Sequence, residues 1–180
     1  MLILINKQLK KVIMEPKSAI ENLEESDEYI SWRKTNKNAY IANCFVMMED
    51  NKIPEWHIGF YDTITDKITT FVVSTEIKKL PESDVFKEKD VVLPLEFSKV
   101  KVKLNQAIEN AVELQEKEHK GNPPMKTIVL LQNFEGHHIY NITFVTRTFK
   151  TLNVKVSSQD GRILSHKIHS IMDFDDKNYK

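Results

Sequence analysis

The sequence predicts an α+β protein made of two tandem units, each a helix followed by a three-stranded antiparallel sheet. Three observations predict this class. A helical apolar period opens each half, first at Pro16 and again at Leu104, and three short runs rich in β-branched and aromatic residues follow each helix. The third is a repeat, because Ala19-Ile20-Glu21-Asn22 returns at an offset of 88 as Ala107-Ile108-Glu109-Asn110. The units are read as residues 12–80 and 98–174, with 81–97 as a connector.

Pro16 suits a first helical turn, where its missing N–H would have no intrahelical partner. Ile20, Leu23 and Ile30 share a face with Asp27, supporting a helix from Pro16 to about Lys34, with a break near Ser26, whose hydroxyl could cap a second turn. A rival reading makes Tyr29 to Arg33 a strand that turns through Thr35 to Asn38. Ala39 to Met48, Glu55 to Tyr61 and Lys67 to Ser74 read as antiparallel strands parted by polar turns. In the second of them Trp56, Ile58 and Phe60 alternate with His57, Gly59 and Tyr61, which puts the first three on one sheet face, the one expected to meet the helix. Residues 75–98 are charged and broken by Pro81 and Pro94, the pattern of a connector with some docked apolar residues.

The second unit repeats the order. Leu104, Ala107, Ile108, Ala111, Val112 and Leu114 form an apolar stripe to about His119, and Gly121-Asn122-Pro123-Pro124 stops it. Lys126 to Asn133, His138 to Thr146 and Thr151 to Ser157 are the strands. An offset of 84 pairs Trp56 with Tyr140, Ile58 with Ile142, Phe60 with Phe144, Ile68 with Leu152 and Val72 with Val156, apolar with apolar each time. One helix on about three strands buries little surface, so the units are expected to dock or pair. The tail from Asp173 to Lys180 is expected to fray.

Composition narrows function by exclusion. The chain has 180 residues, with 26 Lys+Arg against 26 Asp+Glu, so it lacks the basic excess of a dedicated nucleic-acid binder. No apolar run reaches the roughly 18–20 residues that span a bilayer, and Leu2 to Ile5 is too short for a signal-peptide core, so a cytoplasmic setting without membrane contact is expected. Gly59, Gly121, Gly136 and Gly161 stand apart from one another. Dinucleotide fingerprints, phosphate loops and nucleophile elbows each need clustered glycines, because backbone must approach phosphate closely or turn sharply around a serine. None can be written here.

Tyr140-Asn141-Ile142-Thr143-Phe144, Leu152-Asn153-Val154-Lys155-Val156 and Gln159-Asp160-Gly161-Arg162-Ile163-Leu164 follow the second helix in order. This pattern, from about Leu104 to His166, resembles the PepSY family, whose units run from a helix into strands. In that family a tyrosine opens the middle strand, and a polar turn, a glycine and an aliphatic residue close the last. Trp56 to Val73 looks like a weaker copy without the closing glycine turn. The resemblance implies a role beside peptidases, for which inhibition has been proposed, and brings no shared catalytic residues.

Candidate sites are few. His166 and His169 help a metal together only if their segment is helical, since an extended chain points them to opposite faces; His137 and His138 occupy a loop. Cys44, the single cysteine, lies beside Phe45 and Val46 and reads as a buried, inert thiol. Glu24-Glu25 and Asp175-Asp176 read as solvated acids, and the alternation of Lys99-Val100-Lys101-Val102-Lys103 fits a strand with one wet face as well as it fits an anion patch. Trp32, Trp56 and Tyr140 either fill a core or line a groove, with core packing preferred. No catalytic residue, metal ligand or cofactor-binding residue is therefore expected. The reading is a non-catalytic module that binds a protein or peptide, with peptidase regulation as its finer form. The alternative is a small-molecule-binding protein or enzyme with a pocket between helix and sheet. A third reading is a homo-oligomer built by strand addition at exposed edges.

Overall fold

The computed structural model describes residues 14–49, 54–85 and 91–171; the carboxylates of Asp175 and Asp176, and the tail from Asp173, fall outside them. Ser26 is where the first helical stretch divides. Helix α1 (Pro16–Glu24) ends, and α2 (Asp27–Arg33) begins with Ser26 as its N-cap in an extended conformation. The Ser26 hydroxyl accepts the Tyr29 N–H at 3.2 Å and donates to the Leu23 carbonyl at 2.6 Å, so one side chain caps the start of α2 and ties it to the end of α1. Tyr29 to Arg33 is thus helical, and the rival strand reading is set aside.

The nine strands among the described residues form one antiparallel sheet. Strands β1 (Tyr40–Glu49) and β6 (Pro124–Phe134) lie side by side in its middle, in register from Asn43 opposite Gln132 to Glu49 opposite Lys126. Outward from β1 run β2 (Trp56–Asp62), β3 (Lys67–Val73) and β4 (Ile77–Lys79), with β5 (Ser83–Asp84) also paired to β3. Outward from β6 run β7 (His137–Thr146), β8 (Lys150–Ser157) and β9 (Ile163–Ser170). The strands expected for the two units are parts of one continuous sheet, paired through β1 and β6. Left apart, β1 and β6 would each present a long apolar edge, and pairing them satisfies both rows of backbone groups.

The charged stretch 75–98 also differs from expectation, because β4, at the end of the first unit, and β5, inside the connector, are built from it. Residues 92–96 cross the ends of the central strands. Tyr40 Oη donates to the Val92 carbonyl at 2.7 Å, Asn133 Nδ2 to the Pro94 carbonyl at 3.0 Å, and the Leu95 N–H to the Ile41 carbonyl at 2.8 Å. Past a 3₁₀ turn at Phe97–Lys99 the chain enters α3 (Leu104–Glu118). Lys99 to Lys103 is irregular rather than a strand, although Val100 and Val102 pack on the core while the three lysines stay exposed.

All three described helices cover the same sheet face. Ala19, Leu23, Leu104, Ala107 and Ala111 are fully buried against Cys44, Val46, Ile58, Val129, Ile142, Phe144 and Val154. Tyr29 and Trp32 of α2 meet Phe60 and Phe71 in a tilted and edge-on ring cluster, with centroids 5.1–5.8 Å apart. Facing residues share a face in an antiparallel pair, so Phe71 opposite Ile58 and Val73 opposite Trp56 complete this side.

That register corrects one part of the repeat. Ile68 and Val72 sit opposite Tyr61 and His57, on the face away from the helices, whereas Leu152 and Val156 sit opposite Phe144 and Tyr140 beneath α3. The matching inward pairs are Phe71 with Val154 and Val73 with Val156, at an offset of 83. Four residues, Thr63 to Asp66, separate β2 from β3, whereas three, Arg147 to Phe149, separate β7 from β8. One residue of loop length exchanges the two faces of the strand that follows.

Candidate functional site

Trp56 and Tyr140 are core residues with matching polar bonds. Trp56 Nε1–H donates to the Met14 carbonyl at 2.8 Å, and Tyr140 Oη–H donates to the Val102 carbonyl at 2.8 Å. Each acceptor lies two residues before a helix starts, so each ring fixes the entry of its helix onto the sheet. Trp56 is 2% exposed and Tyr140 0%, leaving neither ring free to meet a ligand. Burial pushes the Tyr140 phenol well above its ordinary value, with the Glu15 carboxylate adding to the rise. Glu15 joins the halves by accepting the Leu104 N–H of α3 on Oε2 at 3.1 Å.

Cys44 is fully buried and its thiol is pushed far up by desolvation, so its nucleophilic thiolate is suppressed. Trp32 packs in the ring cluster, and Glu24 and Glu25 are exposed at the end of α1. His137 opens β7 at the surface, whereas His138 is buried and accepts the Glu96 N–H on Nε2 at 3.0 Å. That bond requires the neutral ring. Burial foremost, and then the Lys99 charge, hold the His138 pKa below its ordinary value, with Glu96 opposing them.

His166 and His169 stand on opposite faces of β9, as an extended chain requires: His166 is opposite Val154 and His169 opposite Thr151. The fold instead brings His166 beneath the C-terminal end of α3. His166 Nδ1 is 3.4 Å from His119 Nε2, and His166 Nε2 is 3.3 Å from Glu118 Oε2. One ligand atom from each of Glu118, His119 and His166 lies within 4.8 Å of the others. Sequence spacing gives no sign of this group, because 47 residues separate the two histidines. The end of α3 is held by Gln115, fully buried, whose Nε2 donates to the His119 and Asn122 carbonyls at 2.9 and 3.1 Å.

The sheet face without helices has two characters. Phe45, Met47, His57, Val72, Ile128 and Leu130 make a half-exposed, mostly apolar strip across β3, β2, β1 and β6. Asn141, Thr143, Asn153, Lys155 and Lys167 make its other half polar and basic. At one end of the central strands an open depression is lined by Glu49, Met125, Lys126 and Arg147, with the Glu49 carboxylate paired to Lys126.

No helix among the described residues is long and apolar enough to cross a membrane. No protein-family model and no curated protein matches the sequence. Among solved structures, a putative lipoprotein from Clostridium difficile 630 is similar in fold, with a TM-score of 0.53 and 15% identity over 82% of this chain and 97% of that one.

Proposed function

We propose that the chain is a non-catalytic binding module that recognises a protein or peptide on the helix-free face of its sheet. The strip of Phe45, Met47, His57, Val72, Ile128 and Leu130 carries this reading. Its residues lie at the middle of the sheet, beside a polar and basic region, which is the arrangement of an apolar interface core with a polar rim. The alternative pocket between helix and sheet competes with Trp56, Phe71 and Tyr140, which fill that space. Regulation of a peptidase is the finer form of the proposal, supported by the PepSY-like pattern from Leu104 to His166.

The same proposal takes the chain as two tandem α+β units joined through β1 and β6. The matched bonds of Trp56 to Met14 and Tyr140 to Val102 support it, since the donors are 84 residues apart and the acceptors 88, the offsets of the strands and helices themselves.

The test is selection of binding peptides from a displayed library, followed by affinity measurement with Leu130→Lys and Phe45→Glu. Each substitution places a charge in the strip without touching the helix-covered core. A loss of at least about tenfold in affinity with an unchanged melting temperature is expected. Absence of any bound peptide, or affinity indifferent to both substitutions, removes the reading. Adding the chain to a panel of peptidases tests the finer form, which unaltered rates would sink. A stable dimer whose interface is this face would assign the strip to self-association instead.

A further inference from the structure

We propose that Glu118, His119 and His166 form a zinc site that clips the edge strand β9 to the C-terminal end of α3. In a tetrahedral site with Zn–N bonds of about 2.0–2.1 Å, two ligand nitrogens stand roughly 3.3–3.4 Å apart. His119 Nε2 and His166 Nδ1 are 3.4 Å apart. The carboxylate is within reach to serve as the third ligand, and water completes the shell. Two imidazoles with one carboxylate favour zinc over magnesium or calcium, which take oxygen ligands.

The group is not simply a pair of surface histidines. Gln115 anchors the carbonyls of His119 and Asn122, so the helix end carrying two of the ligands is fixed from inside the core. His166 is fixed by the pairing of β9 with β8. The ligands therefore come from two elements already held together, and ordering them costs little on binding. Without metal, at least one of the two rings must be neutral where their nitrogens meet, and the exposed Glu118 carboxylate offers the partner for a proton on the other nitrogen of His166. Zinc replaces that contact with bonds to both strand and helix.

Titration of the full chain with zinc against a chromogenic competitor at pH 7.5 tests the site. One zinc per chain at micromolar affinity is expected, together with a rise in melting temperature at saturation. His119→Ala and His166→Ala should each weaken binding by at least about a hundredfold, and Glu118→Gln by about tenfold or more. His169→Ala, on the opposite face of the same strand, should bind like the native chain. Circular dichroism confirms that each variant remains folded. Native affinity weaker than about 100 μM, or affinity equal to that of the native chain in either His119→Ala or His166→Ala, overturns the proposal.

Discussion

Replacing Gly161 with alanine should cost more stability than the same change at any other glycine outside the strands, for two reasons that can be separated. Gly161 lies in the turn between β8 and β9 with φ +79°, where an L-residue loses roughly 1–2 kcal/mol. A Cβ there would also come within 2.9 Å of Asn110 Nδ2, the atom that donates to the Gly161 carbonyl at 2.8 Å. Displacing that bond adds roughly 0.5–1.5 kcal/mol, giving a total of about 1.5–3.5 kcal/mol. For a chain of this size the loss corresponds to roughly 3–14 °C in melting temperature. Gly136, at φ +85° with nothing near a new Cβ, isolates the conformational part, and Gly136→Ala should fall by about 2–8 °C, less than Gly161→Ala in the same assay. Gly121 has open space and no left-handed φ, so Gly121→Ala should stay within about 1 °C of the native chain or rise slightly. In an Asn110→Ala background the cost of Gly161→Ala should shrink to that of Gly136→Ala, because the collision is gone. Calorimetry on the series decides it. Equal losses at Gly161 and Gly136, or a Gly161 cost unchanged by Asn110→Ala, would refute the packing argument.

The remaining predictions concern buried polar groups. Tyr140→Phe keeps the ring but leaves the Val102 carbonyl without its donor, and denaturant titration should show a loss of about 1–2 kcal/mol with little change in m-value. His138 has a folded pKa held below the unfolded value, so the unfolded chain takes up the proton first. The stability that the neutral ring contributes should be complete above about pH 6.5 and be lost progressively below it. Melting curves from pH 8 to 5 should show this loss reduced in His138→Gln, and parallel curves would argue against burial of the neutral His138 ring as the cause. Cys44 should resist thiol reagents in the native chain and react at the rate of global unfolding; rapid modification under native conditions would contradict its burial.

The helices and inner strands are legible because each has a clear period. Leu104 to Leu114 keeps its apolar stripe, and Trp56, Ile58 and Phe60 alternate, so burial alone explains why those residues face one another. Two further features were present in the sequence in a less obvious form. Cys44 to Met48 and Ile128 to Leu131 are nearly continuous apolar runs, the composition of strands with neighbours on both sides and partial cover on both faces. Read that way, they point to β1 and β6 as the strands that join the halves. By contrast β9, Ile163–Ser170, has no fully buried residue, and Ile163 and Ile168 pack only partly against the core, so the alternation that would announce a strand is weak. β4 fails for the same reason, with Lys78 and Lys79 exposed along an edge where charge discourages further pairing.

Register set the limit on the rest. The offset of 84 is right on β2 and β7 and wrong by one on β3 and β8, and both alignments pair apolar with apolar, because Ile68 and Val72 are apolar although they face away from the helices. Hydrophobicity cannot choose between two such alignments, whereas the hairpin length that does choose is only a turn of polar residues in the sequence. The candidate site compounds this difficulty. His166 reaches the helix-covered face because β8 and β9 shift register between Lys155 and Val156, and it meets His119 because α3 ends over that edge of the sheet. Moving β9 by one residue would turn His166 away from Glu118 and His119. The three residues become neighbours through a strand irregularity and a helix length acting together, and neither leaves a mark in the spacing of histidines along the chain.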